Sequence, residues 1–293
     1  MSGEPAAYRP RRSVLYLPSS NARALEKAKT VAVDALILDL EDAVAPDVKV
    51  SARKAACAAA GSGEYGRREL TIRANGLDTE WFADDIAAIA RSGAHGVVVP
   101  KVGSADEVRA IVAALEHAGA PDDLRLWAMV ETPRAILDVA EIAAAATRLA
   151  VLVMGTNDLV KELYARHVPG RAPLLTALSL SVLGARAAGV AILDGVYNDV
   201  SDAEGFEAEC REGRDLGFDG KTLIHPGQVD GANRVFAPSA EEVADAHAMI
   251  AAFEAAMSEG RAVATHQGRL IENLHVETAR RAISVEQAIA ALG

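Results

Sequence analysis

The sequence predicts an α/β fold, a (β/α)8 TIM barrel followed by a C-terminal helical extension. Short apolar runs alternate with Ala-rich segments of helical periodicity, and this alternation predicts a parallel sheet. The alternation occurs eight times along the chain, and right-handed crossovers repeated that often close the sheet into a barrel. The length of 293 residues is typical of one such barrel.

Eight strands are predicted from runs rich in Val, Ile and Leu. The runs are SVLYLP (13–18), ALILDL (35–40), ELTIRA (69–74), HGVVVPK (95–101), LRLWAMVE (124–131), LAVLVMG (149–155), VAILDGVY (190–197) and GKTLIHP (220–226). Helical segments such as SADEVRAIVAALEHAG lie between them. Because each strand is followed by at least one helix, all eight carboxyl ends are expected at the same rim.

Residues 237–293 are predicted to extend the chain beyond the barrel, which takes residues 1–236. The segment 238–260, PSAEEVADAHAMIAAFEAAMSEG, has a Pro near its start and a Gly at its end, as a long helix does. A short extended piece and another helix follow. From the residues alone, this extension can pack on its own subunit or reach a neighbouring one.

Composition and charge exclude several classes of partner. A net charge of −11 argues against nucleic acid, since phosphate binding needs a basic surface, although a small anion in a local basic patch remains compatible. The two cysteines, Cys57 and Cys210, indicate neither a disulfide framework nor a zinc site and favour a reducing, cytoplasmic setting. No apolar run predicts a signal sequence or a membrane span, so we expect a soluble protein without a membrane partner.

Polar side chains follow nearly every predicted strand, on the barrel face where active sites lie. They are Tyr16, Asp39, Glu41, Asp42, Arg73, Asn75, Lys101, Glu131, Asn157, Asp158, Asp194, Tyr197, Asn198 and His225. A single strand-end carboxylate is usually a helix cap or one half of an ion pair; Asp39 or Asp42 can be a cap, and Arg73 can pair with Glu41. Asp194 and His225 suit structural roles at least as well. The convergence of so many charges on one rim nevertheless predicts a ligand site.

Glu131 and Asp158 are predicted to hold a metal ion. They follow consecutive strands, which are neighbours about 5 Å apart in a closed barrel. Two carboxylates without His or Cys partners favour a hard cation, and Mg²⁺ suits best because it completes its shell with water and substrate oxygens. Arg73 can hold an oxygen of the same ligand, so metal and guanidinium together would stabilise an enolate or oxyanion.

A second polar cluster lies on the first strand–helix unit, VLYLPSSNARALEKAK. Ser19, Ser20 and Asn21 offer helix N-cap chemistry. Arg23 and Lys27 are four residues apart and share a helix face, where they could hold the phosphates of a nucleotide-like ligand. A solvated cationic face is the alternative interpretation.

With these residues in view, the sequence resembles the citrate lyase β-subunit-like family of CoA-ester lyases, related to malyl-CoA lyase among the HpcH/HpaI aldolase-type barrels. The resemblance covers essentially the whole chain. It rests on RSVLYLPSSNARALEKAK, ILDLEDAVAPDVKVSAR, TIRANGLDTEW, VVVPKVGS, VETPRA, MGTNDL, GFDGKTLIHPGQV and GRLIENLHVETARR.

The resemblance implies roles for individual residues. Glu131 and Asp158 would hold Mg²⁺, and Arg73 would contact substrate. Members of this family form trimers or hexamers in which the C-terminal segment completes a neighbour's site. We therefore expect a homotrimer or hexamer, with the extension packing on a neighbouring subunit.

The resemblance also implies how the ester is bound. Tyr16, Arg23 and Lys27 would contact the CoA ester. Glu41 and Asp42, at the second strand, would support the site. The expected small-molecule partners are a CoA ester and a 2-oxo acid.

Two departures from the family pattern bear on the reaction. Asn157 stands in GTND where a Glu is common, and Glu272 stands in GRLIE where an Asp commonly acts as acid or base. Glu keeps the carboxylate but displaces it by about one methylene, and a shift of roughly 1 Å can matter to catalysis. The MGTND and ENLH forms resemble the branch that includes (3S)-malyl-CoA thioesterase.

Three hypotheses follow for the reaction. The first is a Mg²⁺-dependent lyase that cleaves a malyl-, methylmalyl- or citramalyl-CoA to a 2-oxo acid and an acyl-CoA, with Glu272 as base and Arg73 stabilising the enolate. The alternative is a thioesterase that hydrolyses malyl-CoA with the same site. The third is a non-catalytic CoA-ester-binding subunit, against which the intact Arg73, Glu131 and Asp158 argue.

Overall fold

The computed structural model describes residues 8–292, and within them eight parallel strands close into one barrel. The strands, in chain order and in the order of their pairing, are β1 (Ser13–Pro18), β2 (Ala35–Asp39), β3 (Glu69–Arg73), β4 (Gly96–Val99), β5 (Arg125–Val130), β6 (Leu149–Met154), β7 (Ala191–Asp194) and β8 (Gly220–Leu223). Strand β1 pairs with both β2 and β8, which closes the ring. The predicted fold class is confirmed.

Helices follow every strand of the barrel. They are α1 (Ala22–Ala28), α2 (Lys49–Gly61), α3 (Phe82–Ile89), α4 (Ala105–His117), α5 (Pro133–Leu137), α6 (Val139–Ala143), α7 (Thr156–Glu162), α8 (Leu175–Ala188), α9 (Ala203–Leu216) and α10 (Val229–Phe236). Short 3₁₀ turns precede α2, α8 and α10. Ser104 and Thr132 cap α4 and α5 through their side chains, and Asn21 caps α1.

Several strands end earlier than the sequence predicts. Strand β7 stops at Asp194, where its last paired residue faces Lys221 of β8, although the apolar run continues to Tyr197. Beyond that pair the backbone leaves the sheet and presents its side chains at the rim. The alternation of side chains therefore ends where the candidate site begins.

Two apolar layers hold the barrel together. The layer inside the ring comprises Val14, Ala35, Ile37, Val98, Trp127, Met129, Val151, Val153 and Leu193. Residues one position along each strand, such as Leu36 and Leu152, point the other way and pack on the helices, where Ala52, Ala56 and Ala185 allow close approach. Burial on both faces explains why the strands read as continuous apolar runs.

Asp194, one of the weaker functional candidates, forms part of an internal ion-pair network. It is fully buried, with Lys221 Nζ 3.0 Å and Arg171 Nη1 2.7 Å from its carboxylate oxygens. Lys221 also lies 2.8 Å from Glu209. These contacts pair the buried carboxylate with two cations, so they support the structural role that the sequence allowed for Asp194.

The chain divides into a barrel unit, Arg11–Phe236, and a C-terminal unit that comprises residues 237–292 with residues 8–10. Of the predicted barrel (1–236) and extension (237–293), residues 1–7 and residue 293 lie outside the described part of the chain. In the C-terminal unit, α11 (Ala240–Ser258) begins at a capping box between Ser239 and Glu242. Strands β9 (Ala264–His266) and β10 (Arg269–Ile271) form an antiparallel hairpin, and α12 (Asn273–Ala290) follows.

The predicted single extended piece of the extension is therefore a hairpin. Gln267 and Gly268 form its tip with positive φ, a conformation that lets the chain reverse between two three-residue strands. Ala256, Ala264 and Ile271 form the buried cluster of this unit.

The structure bears on two expectations from composition, those about the cysteines and about membrane-spanning helices. Cys57 on α2 and Cys210 on α9 are both free thiols. Across residues 8–292, no helix is long and apolar enough to cross a membrane.

Candidate active site

A cavity of about 320 Å³ lies at the carboxyl ends of the barrel strands. It is lined by Tyr16, Asp39, Asp42, Ala43, Arg73, Met129, Glu131, Met154, Gly155, Thr156, Asn157, Asp158, Val196, Thr222 and Ile224. Seven of the predicted strand-end residues are among these: Tyr16, Asp39, Asp42, Arg73, Glu131, Asn157 and Asp158. The barrel therefore brings side chains of β1, β2, β3, β5 and β6 to one place.

Arg73, the last residue of β3, is fixed by a two-point contact with Asp39 of β2. Its Nε and Nη2 donate to the two carboxylate oxygens of Asp39 over 2.6 and 2.7 Å. Burial opposes the charged guanidinium, yet the hydrogen bonds and charge of Asp39 raise the Arg73 pKa above its ordinary value. Arg73 is thus a permanently charged group in a fixed orientation.

Asp39 also holds the loop that follows β2, although it does not cap a helix, since the N-cap of α2 is Val48. Its carboxylate accepts hydrogen bonds from the backbone N–H groups of Glu41 and Ala43 over 2.9 and 3.1 Å. The aspartate therefore organises the loop after β2 while it orients Arg73. The ion pair predicted for this rim is therefore present, and the predicted helix cap is replaced by hydrogen bonds within the loop.

Glu41 lies on the other side of Arg73, with its Oε2 2.6 Å from Nη1. Burial raises the pKa of Glu41 to about 7, an effect that the charge of Arg73 opposes and those of Asp42 and Asp39 reinforce. Asp42 is more remote, 3.7 Å from Nη1 and largely exposed. The ion pair between Arg73 and Glu41, which the sequence allowed as a structural interpretation of these residues, is therefore present beside the cavity.

Tyr16 and Met129 form the wall under Arg73. The guanidinium carbon lies 5.0 Å from the centre of the Tyr16 ring, and the Tyr16 hydroxyl is 3.8 Å from the Met129 sulfur. Burial raises the Tyr16 pKa beyond its ordinary value, with Glu131 reinforcing and Arg73 opposing the shift. Tyr16 is consequently a neutral side chain at the cavity floor.

Glu131 follows β5 directly and is 2% exposed. Its Oε1 accepts a hydrogen bond from the backbone N–H of Lys101 over 2.7 Å. Lys101 has a φ of 54°, a conformation uncommon for a residue other than glycine, and this turns its N–H toward Glu131. Burial raises the Glu131 pKa to about 7; the Lys101 hydrogen bond opposes this shift, and the charges of Asp158 and Glu41 add to it.

Asp158 lies in the first turn of α7, on the next strand–helix unit. Strands β5 and β6 pair Val130 with Met154, so the residues that follow them leave the sheet at the same level. Asp158 is partly exposed, and Lys101 Nζ is 4.0 Å from its carboxylate. The Lys101 backbone and ammonium thus face Glu131 and Asp158 respectively.

Glu131 and Asp158 fit the metal that the sequence predicts. Within residues 8–292 there is no cluster of three or more His, Cys, Asp or Glu residues able to enclose an ion. Glu131 and Asp158 both face Lys101, the first through its backbone N–H and the second through its ammonium. Mg²⁺ commonly binds one or two carboxylates and keeps the remaining positions for water and substrate. The elevated Glu131 pKa, caused by burial beside other carboxylates, marks a position where a cation would relieve unfavourable charge.

Asn157, the departure noted beside Asp158, forms a reciprocal amide pair with Asn198. Each side-chain nitrogen donates to the other's oxygen, over 3.1 and 2.8 Å. The pair links the first turn of α7 to the loop after β7 at the edge of the cavity. A Glu at position 157 could accept from Asn198 but could not return a donor, so the amide suits this rim.

Four predicted residues are placed elsewhere. Arg23 and Lys27 are exposed on α1, and the described cavity lining does not include them. Glu272 belongs to the C-terminal unit, where it is exposed at the N-cap of α12 and its backbone N–H donates to His275 Nδ1 over 3.1 Å. His225 caps the turn before α10 through the Gly227 N–H, which is the structural role allowed for it.

The sequence interpretation missed two contributors to the geometry of the site. Gly155 has no side chain to signal a role, yet a Cβ there would overlap the Glu131 carboxylate. Lys49, a residue of the VKVSAR motif, is buried behind the loop of residues 40–44 (the Glu41 loop), to which it donates hydrogen bonds. A lysine in a helical pattern reads as exposed, so local sequence gave no signal for its burial.

The family of this chain follows from sequence comparison. The profile of the HpcH/HpaI aldolase/citrate lyase family matches residues 12–226, which is most of the barrel. This chain belongs to the HpcH/HpaI aldolase/citrate lyase family. Membership confirms the resemblance inferred from the strand-end motifs.

Individual members of the HpcH/HpaI family are similar over nearly the whole chain. The chain is 52% identical over 284 residues to a protein named (3S)-malyl-CoA thioesterase from Cereibacter sphaeroides (strain ATCC 17025 / ATH 2.4.3), with 97% of both chains covered. It is 36% identical to citrate lyase subunit beta of Escherichia coli (strain K12), with 94% of this chain and 93% of that one covered.

A solved structure of the family also matches. The CitE protein of Mycobacterium tuberculosis, in complex with magnesium, acetoacetate and coenzyme A, aligns with a TM-score of 0.75 and 30% sequence identity. The alignment covers 95% of this chain and 97% of that one. The fold comparison and the sequence comparison therefore indicate the same family.

Proposed function

We propose that this protein is a Mg²⁺-dependent thioesterase that hydrolyses a malyl-CoA-type ester to the free hydroxy acid and CoA. The observation that carries the proposal is the 52% identity to a (3S)-malyl-CoA thioesterase over 97% of both chains. This order of preference reverses the sequence interpretation, in which the lyase stood first and hydrolysis was the alternative.

The cavity supports binding of the malyl end. A malyl group carries a hydroxyl, a distal carboxylate and the thioester carbonyl, all of them oxygen ligands or acceptors. Arg73 presents a charged donor whose orientation Asp39 fixes, which suits a carboxylate or carbonyl oxygen. Glu131 and Asp158 would hold Mg²⁺, which when bound supplies positive charge to the substrate oxygens.

The hydrolytic step requires a base and a donor. Water attacks the thioester carbonyl, the new C–O bond forms, and the C–S bond breaks with its electron pair on sulfur. The proton of the attacking water passes to a carboxylate, which then gives it to the departing sulfur to form the CoA thiol. Glu41, whose pKa lies near 7, has the protonation range of a general base at neutral pH and touches Arg73.

Glu272 remains the proposed acid or base of the C-terminal unit. Its exposed carboxylate at the start of α12 is free of the internal networks that bind Asp39 and Asp194. We propose a cytoplasmic homotrimer or hexamer in which this unit packs on a neighbouring subunit, and sedimentation analysis tests the assembly. Arg23 and Lys27 are the proposed contacts for CoA phosphates, since their exposure on α1 leaves both cations accessible.

The second candidate is the C–C lyase. It is supported by the 36% identity to citrate lyase subunit beta and by the M. tuberculosis CitE complex with magnesium, acetoacetate and coenzyme A. In this reaction the hydroxyl proton leaves, the bond between the hydroxyl-bearing carbon and the acyl α-carbon breaks, and Arg73 stabilises the enolate. Similarity to these proteins disfavours the third hypothesis, a non-catalytic subunit.

A substrate panel tests the proposal. Purified protein with Mg²⁺ is incubated with malyl-, methylmalyl- and citramalyl-CoA, and CoA release is followed. We expect turnover of at least one ester, a loss of about 100-fold or more in Glu131→Gln and Asp158→Asn, and loss after exhaustive chelation that Mg²⁺ restores. Full activity after chelation would contradict the proposed Mg²⁺ site. A parent protein that turns over none of these esters would contradict the proposal that it is an enzyme acting on them.

A further inference from the structure

Lys49, the first residue of α2, is a buried ammonium behind the candidate site. The residue is 5% exposed. Its Nζ donates to the backbone oxygens of Leu40 and Glu41 over 2.8 and 3.0 Å and to Asn75 Oδ1 over 2.6 Å. The three N–H bonds of the ammonium therefore have three acceptors, which offsets the desolvation of the charge.

These acceptors belong to the two loops that build the Arg73 side of the cavity. Leu40 and Glu41 follow Asp39 at the end of β2, and Asn75 follows Arg73 at the end of β3. A single cation thus ties the segment that carries Glu41 to the segment that carries Arg73. Helix α2 fixes the position of the cation from outside the barrel.

The far end of this contact is itself fixed. Asn75 donates from its side chain to Asp85 Oδ2 over 2.6 Å, and its backbone N–H donates to the same oxygen over 3.0 Å. Asp85 Oδ1 in turn accepts from Arg53 Nε over 2.6 Å. Lys49 is therefore held against a buried, hydrogen-bonded wall, and the Trp81 ring lies 4.9 Å from its Nζ.

We propose that Lys49 is a positioning residue, which holds the Glu41 loop at the distance from Arg73 that the reaction requires. The inference rests on the proposed function for its kinetic consequence and on the contacts above for its structural one. Methionine has nearly the same length but cannot donate, so Lys49→Met would leave two carbonyl oxygens and Asn75 Oδ1 without their donor. The loop would then relax toward solvent and carry Glu41 away from Arg73.

The kinetic test uses Lys49→Met in the full-length protein, with Lys54→Met as the matched control. Lys54 is an exposed lysine on the same helix. We expect kcat for CoA release to fall about 100-fold in Lys49→Met with KM changed less than threefold, since a displacement of about 1 Å has that effect on rate. Lys54→Met should stay within twofold of the parent protein.

A second readout does not depend on activity. The amides of Leu40, Glu41, Ala43 and Val44 all donate within this loop or to β3, so their hydrogen exchange reports on its order. We expect their exchange to rise at least tenfold in Lys49→Met, with the amides of β5 and β6 unchanged. Lys49→Arg, which keeps the charge but not the three-way geometry, should show a smaller change in the same amides and a kcat loss of at least tenfold.

The outcomes separate this inference from the proposed function. A folded Lys49→Met with kcat within threefold of the parent, or with parent-like exchange in residues 40–44, overturns the positioning role. If Lys49→Met does not fold, Lys49→Arg decides by the same two criteria. If the parent protein turns over no CoA ester, the proposed function fails while the exchange measurement still decides whether Lys49 orders the loop.

Discussion

The Glu131 carboxylate occupies the space that a side chain at Gly155 would fill. A Cβ built on Gly155 overlaps both the Oε2 and the Cβ of Glu131, although Gly155 has an ordinary negative φ of −99°. The glycine is therefore required for close approach and not for backbone freedom. Strands β5 and β6 meet at this point, so the Gly155 position fixes where the Glu131 carboxylate can lie.

Gly155→Ala should displace Glu131 and reduce activity. The added methyl must push the carboxylate away from the Lys101 N–H, so we expect about a 100-fold loss of kcat/KM and a weaker apparent Mg²⁺ affinity. Overpacking of this kind also lowers the free energy of unfolding by about 1–3 kcal/mol. Steady-state kinetics at several Mg²⁺ concentrations and denaturant unfolding measure the two effects.

Gly103→Ala is the control for this prediction. A Cβ at Gly103 would meet its nearest atom, Glu107 Oε2, at 3.5 Å, which is ordinary contact. Its kinetics should match those of the parent protein. Equal losses in the two variants would show that any alanine near the rim disturbs the enzyme and would remove the special role of Gly155.

Glu131→Gln should stabilise the metal-free protein while it removes activity. Burial beside other carboxylates raises the Glu131 pKa to about 7, so ionised Glu131 destabilises the folded state at pH 8. Replacement by the neutral amide should raise the free energy of unfolding without metal by about 1–3 kcal/mol at pH 8. Chelator-treated protein in urea titrations gives the value, and exposed Glu162→Gln on α7 should change it little.

The sign of this effect depends on pH. The folded-state pKa lies above the unfolded value of 4.5, so the folded state binds more protons than the unfolded one between these limits. The stability difference between Glu131→Gln and the parent should therefore be largest above pH 7 and shrink toward pH 5. A difference that grows as the pH falls would contradict the elevated pKa.

Mg²⁺ binding should weaken as the pH falls below about 7. The metal binds the ionised carboxylate, and the Glu131 pKa near 7 makes protons compete for it in that range. With one proton displaced per ion, the apparent affinity should drop about tenfold per pH unit between pH 6.5 and 5. Calorimetric titration across this range tests the slope, and an affinity independent of pH would exclude Glu131 as the ligand.

Arg73→Lys should reduce kcat/KM by 100-fold or more despite keeping the charge. A lysine cannot reproduce the two parallel hydrogen bonds to Asp39, so the cation loses its fixed orientation toward the cavity. Arg109→Lys, at an exposed ion pair with Asp106 on α4, is the matched control and should leave kinetics unchanged. Parent-like kinetics in Arg73→Lys would show that a point charge suffices.

The strand-end residues show how much of this site the sequence could predict. Glu131 and Asp158 follow consecutive apolar runs, and parallel pairing of β5 with β6 places their segments side by side, so chain order alone predicts that relationship. The same logic locates Arg73 and Tyr16.

Long-range contacts were not accessible from local pattern. The helical pattern favours an exposed Lys49, and its burial could not be predicted because its three acceptors come from loops that meet only in the closed barrel. The positive φ of Lys101 and the close approach at Gly155 are likewise properties of packing between neighbouring units. Asp194 follows Leu193, which lies inside the ring, so its side chain points toward the helices, where Arg171 and Lys221 pair with it away from the cavity.

Product stoichiometry with (3S)-malyl-CoA tests the central claim most directly. The protein is incubated with Mg²⁺, the ester and phenylhydrazine, which traps any glyoxylate, and malate, CoA, acetyl-CoA and the hydrazone are quantified together. The account predicts one malate and one CoA for each ester consumed, with no hydrazone above the enzyme-free control. Hydrazone and acetyl-CoA in equal amounts, without free malate, would contradict hydrolysis and assign the cavity to C–C bond cleavage.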